Sequence, residues 1–69
     1  MSAEVRQLIE FAIQDLVAEI VSREGIPIEE AMDALYHSPF FKKLIDPATG
    51  LYRESGEYLY ASMHPQNRS

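Results

Sequence analysis

The stretch that decides the fold is AEVRQLIEFAIQDLVAEIVSRE, residues 3–24. Its apolar residues recur at steps of three and four, the spacing of one side of an α-helix. These residues are Val5, Leu8, Ile9, Ala12, Ile13, Leu16, Val17, Ile20 and Val21. Ser2 precedes them as an N-cap, and Gly25 follows as a left-handed C-terminal stop. The pattern predicts one long N-terminal helix over residues 3–24.

The apolar arc of this helix is wider than one packing face requires. At about 100° per residue, Val17 and Val21 lie to one side of the main stripe, while Phe11 and Ala18 lie almost opposite it. A helix that packs on one layer needs a stripe of roughly 100° or somewhat more. Either the rest of the chain wraps this helix, or part of its surface packs on another molecule. Both interpretations stay open, and Phe11 distinguishes them.

Three shorter helices follow, each with its own start signal. The second covers residues 27–37, with Pro27 in its first turn. Its apolar face is formed by Ile28, Ala31, Met32, Leu35 and Tyr36. Ser38 and Pro39 start a third helix, and Ser55 caps a fourth that ends at His64. The predicted fold is all-α: a small bundle of one long N-terminal helix and three short helices.

Residues 46–50, DPATG, predict a turn between the third and fourth helices. Asp46 can accept hydrogen bonds from backbone groups two or three residues on, and Gly50 can adopt a positive φ. Leu51 and Tyr52 follow as apolar anchors, and we expect them in an extended stretch.

The chain is short enough to form a single domain. Of its 69 residues, about 3–63 form the expected ordered core and 64–69 a polar tail. A domain of this size buries only about 60% of the surface that its unfolded chain exposes. The chain has no cysteine, which excludes disulfides and cysteine-based zinc sites. Association with another chain is the remaining way to add stability.

The charge balance argues against a nucleic-acid partner. The net charge is −5, from 11 acidic and 6 basic residues, and the basic residues are scattered along the chain. Binding to nucleic acid depends largely on Lys and Arg that neutralise phosphates. The first ten residues show no targeting signal, and no segment approaches the roughly 20 apolar residues of a membrane span. We therefore expect a cytoplasmic protein that binds neither nucleic acid nor membrane.

Catalytic and cofactor chemistry is poorly represented. Hydrolysis requires a nucleophile, a base and an orienting group, and only His37, His64 and a few serines are available. The glycines are isolated, so no phosphate-binding loop is present. Asp33 and His37 lie four residues apart on one helix face, but two ligands alone make a weak metal site. We expect no enzyme, no catalytic residue, no metal and no cofactor.

The tyrosines are candidates for contact with a protein partner, because tyrosine is enriched at interfaces. Tyr58 and Tyr60 are two residues apart in a helix, so they cannot both face the same way, and one is expected to point outward. The predicted partner-binding residues are Phe11, Val17, Val21, Tyr52, Tyr58 and Tyr60.

From about Val5 to Met63, nearly its whole length, the chain resembles a small bacterial family of all-helical domains that begin with a long apolar helix. The resemblance is carried by the acidic EEA helix start at 29–31, the Tyr-x-Ser step at 36–38, the TGLY-x-ES turn at 49–55 and the YLY of the last helix at 58–60. Members of that family are often encoded beside a protein that resembles an ADP-ribosyltransferase. The resemblance implies an accessory or antitoxin-like role and supplies no catalytic residue to transfer.

These observations predict a small acidic protein–protein interaction module, in its specific form an antitoxin-like accessory protein to an ADP-ribosyltransferase-like partner. One alternative is a self-associating structural protein, most simply a homodimer that packs its first helices together. A second alternative is a helix-turn-helix regulator built from the second and third helices, with Lys42 and Lys43 as its DNA-facing cations.

Overall fold

The computed structural model describes residues 2–63 of the chain. In chain order its helices are α1 (Ala3–Glu24), α2 (Ile28–Tyr36), α3 (Pro39–Leu44) and α4 (Gly56–Met63), with single 3-10 turns at Pro47–Thr49 and Leu51–Arg53. The predicted all-α fold of one long and three short helices is confirmed over this part of the chain. The predicted polar tail, residues 64–69, lies outside it, and so does the expected end of the last helix at His64.

Both ends of α1 are closed as the sequence predicts. The Ser2 hydroxyl accepts a hydrogen bond from the Val5 N–H at 3.1 Å. Gly25 takes the left-handed conformation, with φ of 65°, and its N–H donates to the Val21 carbonyl at 2.9 Å. Glycine adopts the left-handed conformation more easily than any other residue, so the helix ends at Gly25.

The step from α2 to α3 also follows its local signals. The Ser38 hydroxyl accepts from the Phe40 N–H at 3.1 Å, and Pro39 is the first residue of α3. At the start of α2, Pro27 has an extended ψ of 155°, and the helix begins one residue later, at Ile28.

The segment after α3 differs in part from the prediction. The Asp46 carboxylate accepts from the Ala48 N–H at 3.0 Å, and Gly50 has φ of 68°, as expected. The extended stretch predicted for Leu51 and Tyr52 is wrong, because Leu51–Arg53 forms a 3-10 turn in which the Glu54 N–H donates to the Leu51 carbonyl at 2.9 Å. A lone extended segment has no neighbouring strand to pair its backbone groups, whereas a turn pairs them locally.

Thr49 ties α3 to this segment. Its hydroxyl donates to the Lys43 carbonyl at 2.7 Å and lies 2.9 Å from the Asp46 carbonyl. The same oxygen accepts from the Leu51 N–H at 3.3 Å. One side chain therefore connects the last turn of α3, the DPATG turn and the start of the 3-10 turn.

The hydrophobic core is centred on one side of α1. The buried apolar residues are Ile9, Ala12, Leu16, Val17 and Ile20 of α1, Ala31 and Leu35 of α2, Leu44 of α3 and Leu59 of α4. The helices α2, α3 and α4 and the turn Leu51–Arg53 all contact α1. The long helix is therefore the element on which the others pack.

Gly56, the first residue of α4, lies against the backbone of α1. A Cβ atom at this position would lie 3.0 Å from the backbone oxygen of Asp15 and 3.0 Å from Cγ of Glu19. The Glu19 side chain can move aside, but the Asp15 carbonyl belongs to the backbone of α1. Glycine at this position thus permits the observed distance between the two helices.

We predict that Gly56→Ala lowers the free energy of unfolding by about 1 kcal/mol, because α4 must move away from α1 to make room for the methyl group. The melting temperature followed by far-UV circular dichroism should fall by roughly 4–8 °C. Glu57→Ala, at the next and exposed position, is the control and should leave it nearly unchanged. A Gly56→Ala variant as stable as the original chain would show that this contact does not set the position of α4.

We predict that Thr49→Val destabilises the chain by about 1 kcal/mol, because the hydrogen bonds of the hydroxyl are lost. Valine keeps the β-branched shape of threonine, so the change tests the hydroxyl alone. Thr49→Ser retains the hydroxyl and should be considerably more stable than Thr49→Val. Urea unfolding midpoints of the two variants test this. Equal midpoints would mean that the hydroxyl contributes nothing to the link between α3 and the turns.

Candidate functional site

The outer face of α1 carries large apolar side chains that residues 2–63 leave partly uncovered. Phe11 is 49% exposed and Leu8 is 46% exposed. Of the two interpretations left open by the sequence, the exposure of Phe11 favours the one in which part of the α1 surface is left for another molecule. Ala18, seven residues after Phe11 and also exposed, lies on the same side of the helix. The part of the chain described here thus leaves an apolar strip on α1 open to solvent.

A groove of about 540 Å³ runs between α1 and α2, beside this strip. Its α1 wall consists of Glu10, Ile13, Gln14, Val17 and Ala18, and its α2 wall consists of Ile28, Met32 and Tyr36. We call this feature the α1–α2 groove. The three α2 residues are spaced by four, so they form one row along that helix.

Phe11 stands at the outer rim of the α1–α2 groove. Gln14 and Ala18, which line the groove, lie three and seven residues after Phe11 and hence on neighbouring parts of the same helix surface. A partner seated in the groove could therefore contact Phe11 as well. We call the groove together with Phe11 the docking surface.

The sequence does not predict the α2 wall. Helical periodicity places Ile28 and Tyr36 on the packing face of the second helix, yet they are 56% and 48% exposed. The core takes Ala31 and Leu35, which form one edge of the apolar arc of α2. Tyr36 is held by an edge-to-face contact with Phe41, at 5.0 Å between ring centroids. The sequence feature that indicates apolar residues outside the core is the width of the apolar arc of α2.

The structure corrects the expected exposure of the side of α1 that carries Val17 and Val21. Val17 is 5% exposed and belongs to the core, and Val21 is half-buried against it. Only three residues separate α1 from α2, the two helices contact each other, and Val17 lines the groove together with residues of α2. Val17 consequently contributes the floor of the groove rather than a free flank.

The predicted tyrosines have different environments. Tyr58 is 52% exposed, whereas Tyr52 and Tyr60 are half-buried and pack against the core. The Tyr60 hydroxyl donates to the Glu24 carboxylate at 2.9 Å, and the Arg23 guanidinium lies 5.2 Å from the Tyr60 ring centroid. The prediction that Tyr58 and Tyr60 face different ways is confirmed, with Tyr58 outward.

The six predicted partner-binding residues do not form one surface. Tyr60 contacts Arg23, which lies twelve residues after Phe11. This separation corresponds to about 18 Å along the helix axis and about 120° around it. Phe11 and Val17 belong to the docking surface, and Tyr60 is anchored at the far end of α1. Their roles in binding a partner stay predictions.

The charges at the groove are acidic. Within residues 2–63, Glu10 is the charged side chain among those that line it, and neither Lys nor Arg does so. Glu29 and Asp33 each follow a wall residue of α2 by one position and are exposed. Asp33 lies 3.3 Å from Nδ1 of His37. A ligand in the groove would meet an apolar floor with carboxylates at its edge.

Residues 2–63 offer neither a metal site nor a membrane span. They contain no group of three or more His, Asp or Glu side chains placed to hold a metal ion. None of their helices combines the length and the apolar character that a membrane crossing requires.

Comparison of the chain with protein-family models, with curated proteins and with solved structures found no match. The function of the chain is therefore inferred from the geometry and the charge of its own residues.

We predict that Tyr60 ionises above the usual tyrosine value. Its hydrogen bond to the Glu24 carboxylate, together with burial and the negative charge of Glu24, raises the pKa of Tyr60. The Tyr60 titration is obtained as the ultraviolet phenolate absorbance of the original chain minus that of Tyr60→Phe. Glu24→Gln should lower its midpoint, and an unchanged midpoint would contradict the assigned contact.

The raised pKa of Tyr60 also makes the stability of the folded chain depend on pH. Because the folded chain holds the Tyr60 proton more tightly than the unfolded chain, this group's contribution to stability is complete below about pH 10 and is lost as the pH rises through the folded pKa. Between about pH 10 and the folded pKa of Tyr60, the free energy of unfolding of Tyr60→Phe should fall less steeply with pH than that of the original chain.

Proposed function

We propose that this chain is a small acidic protein–protein interaction module that binds a partner protein through the docking surface. The observation that carries the proposal is a half-exposed Phe11 at the rim of an apolar groove of about 540 Å³. Contiguous exposed apolar surface of this kind is typical of interaction sites, whereas scattered single residues are ordinary.

The residue types suit an interface centre. Aromatic side chains are enriched at interfaces and often act as the anchors that dominate binding energy. Phe11 and Tyr36 stand at the docking surface, and both are about half exposed in the free chain. Burial of apolar surface contributes roughly 25 cal/mol per Å², so covering these side chains favours association.

The small size of the domain supports the same proposal. Within residues 2–63, the core consists of nine buried apolar residues, four of them outside α1. Small domains of this kind often gain stability from a partner, because their own core supplies only a few kcal/mol. A protein bound along α1 would bury the apolar side chains that residues 2–63 leave about half exposed.

In its specific form, the module is an antitoxin-like accessory protein to an ADP-ribosyltransferase-like enzyme, acting in the bacterial cytoplasm. The resemblance of the chain, from about Val5 to Met63, to the helical family implies this partner, and a net charge of −5 suits a basic substrate cleft. The module itself has no catalytic role in this proposal.

A second copy of the chain is the alternative partner. Exposed Leu8 and Phe11 on α1 favour a homodimer, because two such helices could cover each other's apolar strips. The charge of −5 on each copy opposes it. Self-association and binding to another protein are separable by experiment.

The helix-turn-helix alternative receives less support from the geometry. The candidate recognition helix, α3, has six residues and carries Lys42 and Lys43 as its cations. The adjoining helix α2 carries Glu29, Glu30 and Asp33 at exposed positions. Phosphates would be repelled by that helix, so a DNA-binding role is disfavoured.

We predict that Phe11→Ser abolishes or strongly weakens co-purification of the product of the neighbouring gene, when that product is co-expressed with the tagged chain. Loss of an aromatic anchor costs about 2 kcal/mol or more, which is at least about thirtyfold in affinity. Phe11→Leu retains apolar area and is the matched control. Circular dichroism should show that both variants stay folded, since the position is exposed.

Failure of the neighbouring protein to associate at micromolar concentration would refute the specific form. Co-purification that survives Phe11→Ser would refute the proposed surface. Sedimentation of the chain alone at several concentrations tests the alternative, because a mass that doubles with concentration, and that Phe11→Ser returns to the monomer, identifies a homodimer.

A further inference from the structure

We infer that the α1–α2 groove receives an amphipathic helix of the partner whose polar face is basic. This inference rests on the proposed function and names the part of the partner that the groove would hold. It follows from the form of the groove, from the exposure of its walls and from the charges beside it.

The form of the groove matches a helix. It lies between two helices that pack on each other, and one wall is the row of Ile28, Met32 and Tyr36. From the first to the last of these residues the row spans about 12 Å, slightly more than two helical turns. An amphipathic helix presents apolar side chains at steps of three and four, and such a row fits into a groove between two helices.

The exposure of the walls argues against a small-molecule pocket. Small-ligand sites enclose most of their ligand and direct a few polar groups toward it. Here Ile28 and Tyr36, at the two ends of the α2 wall, are 56% and 48% exposed, so the groove is open to solvent at both ends of that wall. Its polar lining within residues 2–63 is limited to Glu10 and Gln14, apart from the Tyr36 hydroxyl.

The charges select a basic helix. Glu10 lines the groove, and Glu29 and Asp33 are exposed beside its α2 wall. Lys and Arg on the polar face of an inserted helix would come close to these carboxylates, which favours encounter and register. A second copy of this chain would instead bring another net charge of −5 to the same edge.

Two synthetic peptides of about 18 residues, or five helical turns, test the inference. Both carry leucine at steps of three and four, and their remaining positions are lysine in one peptide and glutamate in the other. A third peptide has the composition of the lysine peptide with its leucines dispersed. Binding is measured by calorimetry and by NMR chemical-shift changes in the full chain.

The lysine peptide should bind at least about tenfold more tightly than the glutamate peptide and than the dispersed peptide, and added salt should reduce its advantage over the glutamate peptide. The shift changes should fall on residues of the groove. Equal affinities, or shift changes centred on α4, would overturn the inference.

Two alanine variants provide a matched comparison. Ala18 lines the groove and Ala61 lies on α4, and both are exposed helical positions. Ala18→Arg and Ala61→Arg change the net charge equally, and alanine and arginine are both good helix formers. Ala18→Arg places a long side chain in the groove and should weaken the lysine peptide about tenfold, whereas Ala61→Arg should change its affinity by less than about twofold. Equal weakening by both would overturn the inference.

The outcome also separates this inference from the proposed function. If no peptide prefers the groove while Phe11→Ser still abolishes co-purification of the partner protein, the interaction module stands and the basic helix is refuted. If Phe11→Ser leaves co-purification intact, the proposed surface fails whatever the peptides do.

Discussion

Burial of one side of α1 is the constraint on which the rest of the structure depends. Leu16 and Ile20 are fully buried, and α2, α3 and α4 each contribute apolar residues that pack on that side. α1 has 22 residues and is about 33 Å long, whereas its partners have nine, six and eight residues. Helices so short cover one side of α1 and leave the opposite side open. Within residues 2–63, the exposure of Phe11 therefore follows from its position on the side of α1 opposite these contacts.

The fold could be predicted from the sequence because its boundaries are set by short-range interactions. The caps at Ser2, Ser38 and Ser55 each bond to a backbone N–H two or three residues ahead, so residue type and spacing suffice to locate them. The 3-10 turn at Leu51–Arg53 was not predictable in this way. Leu51 and Tyr52 are apolar anchors in either conformation, and their packing against α1 depends on contacts distant in sequence.

The candidate site could be predicted only in part, for a related reason. The exposure of Phe11 follows from its position opposite the apolar stripe of a single helix. The burial of Val17 depends on the side to which α2 returns, which helical periodicity does not specify. The groove required the same information, because Ile28 and Tyr36 share an apolar arc with Ala31 and Leu35, and packing alone decides which edge stays outside.

The acidic charge and the exposed apolar surface have opposite effects on self-association. Leu8, Phe11 and Ile28 are each about half exposed, and side chains of this kind promote association between copies of one chain. A net charge of −5 opposes that association, because every encounter of two copies is an encounter of like charges. The same charge attracts a basic protein and increases its rate of encounter. One distribution of carboxylates thus disfavours the self-contact and favours a basic partner, while the apolar groove supplies the burial that either contact needs.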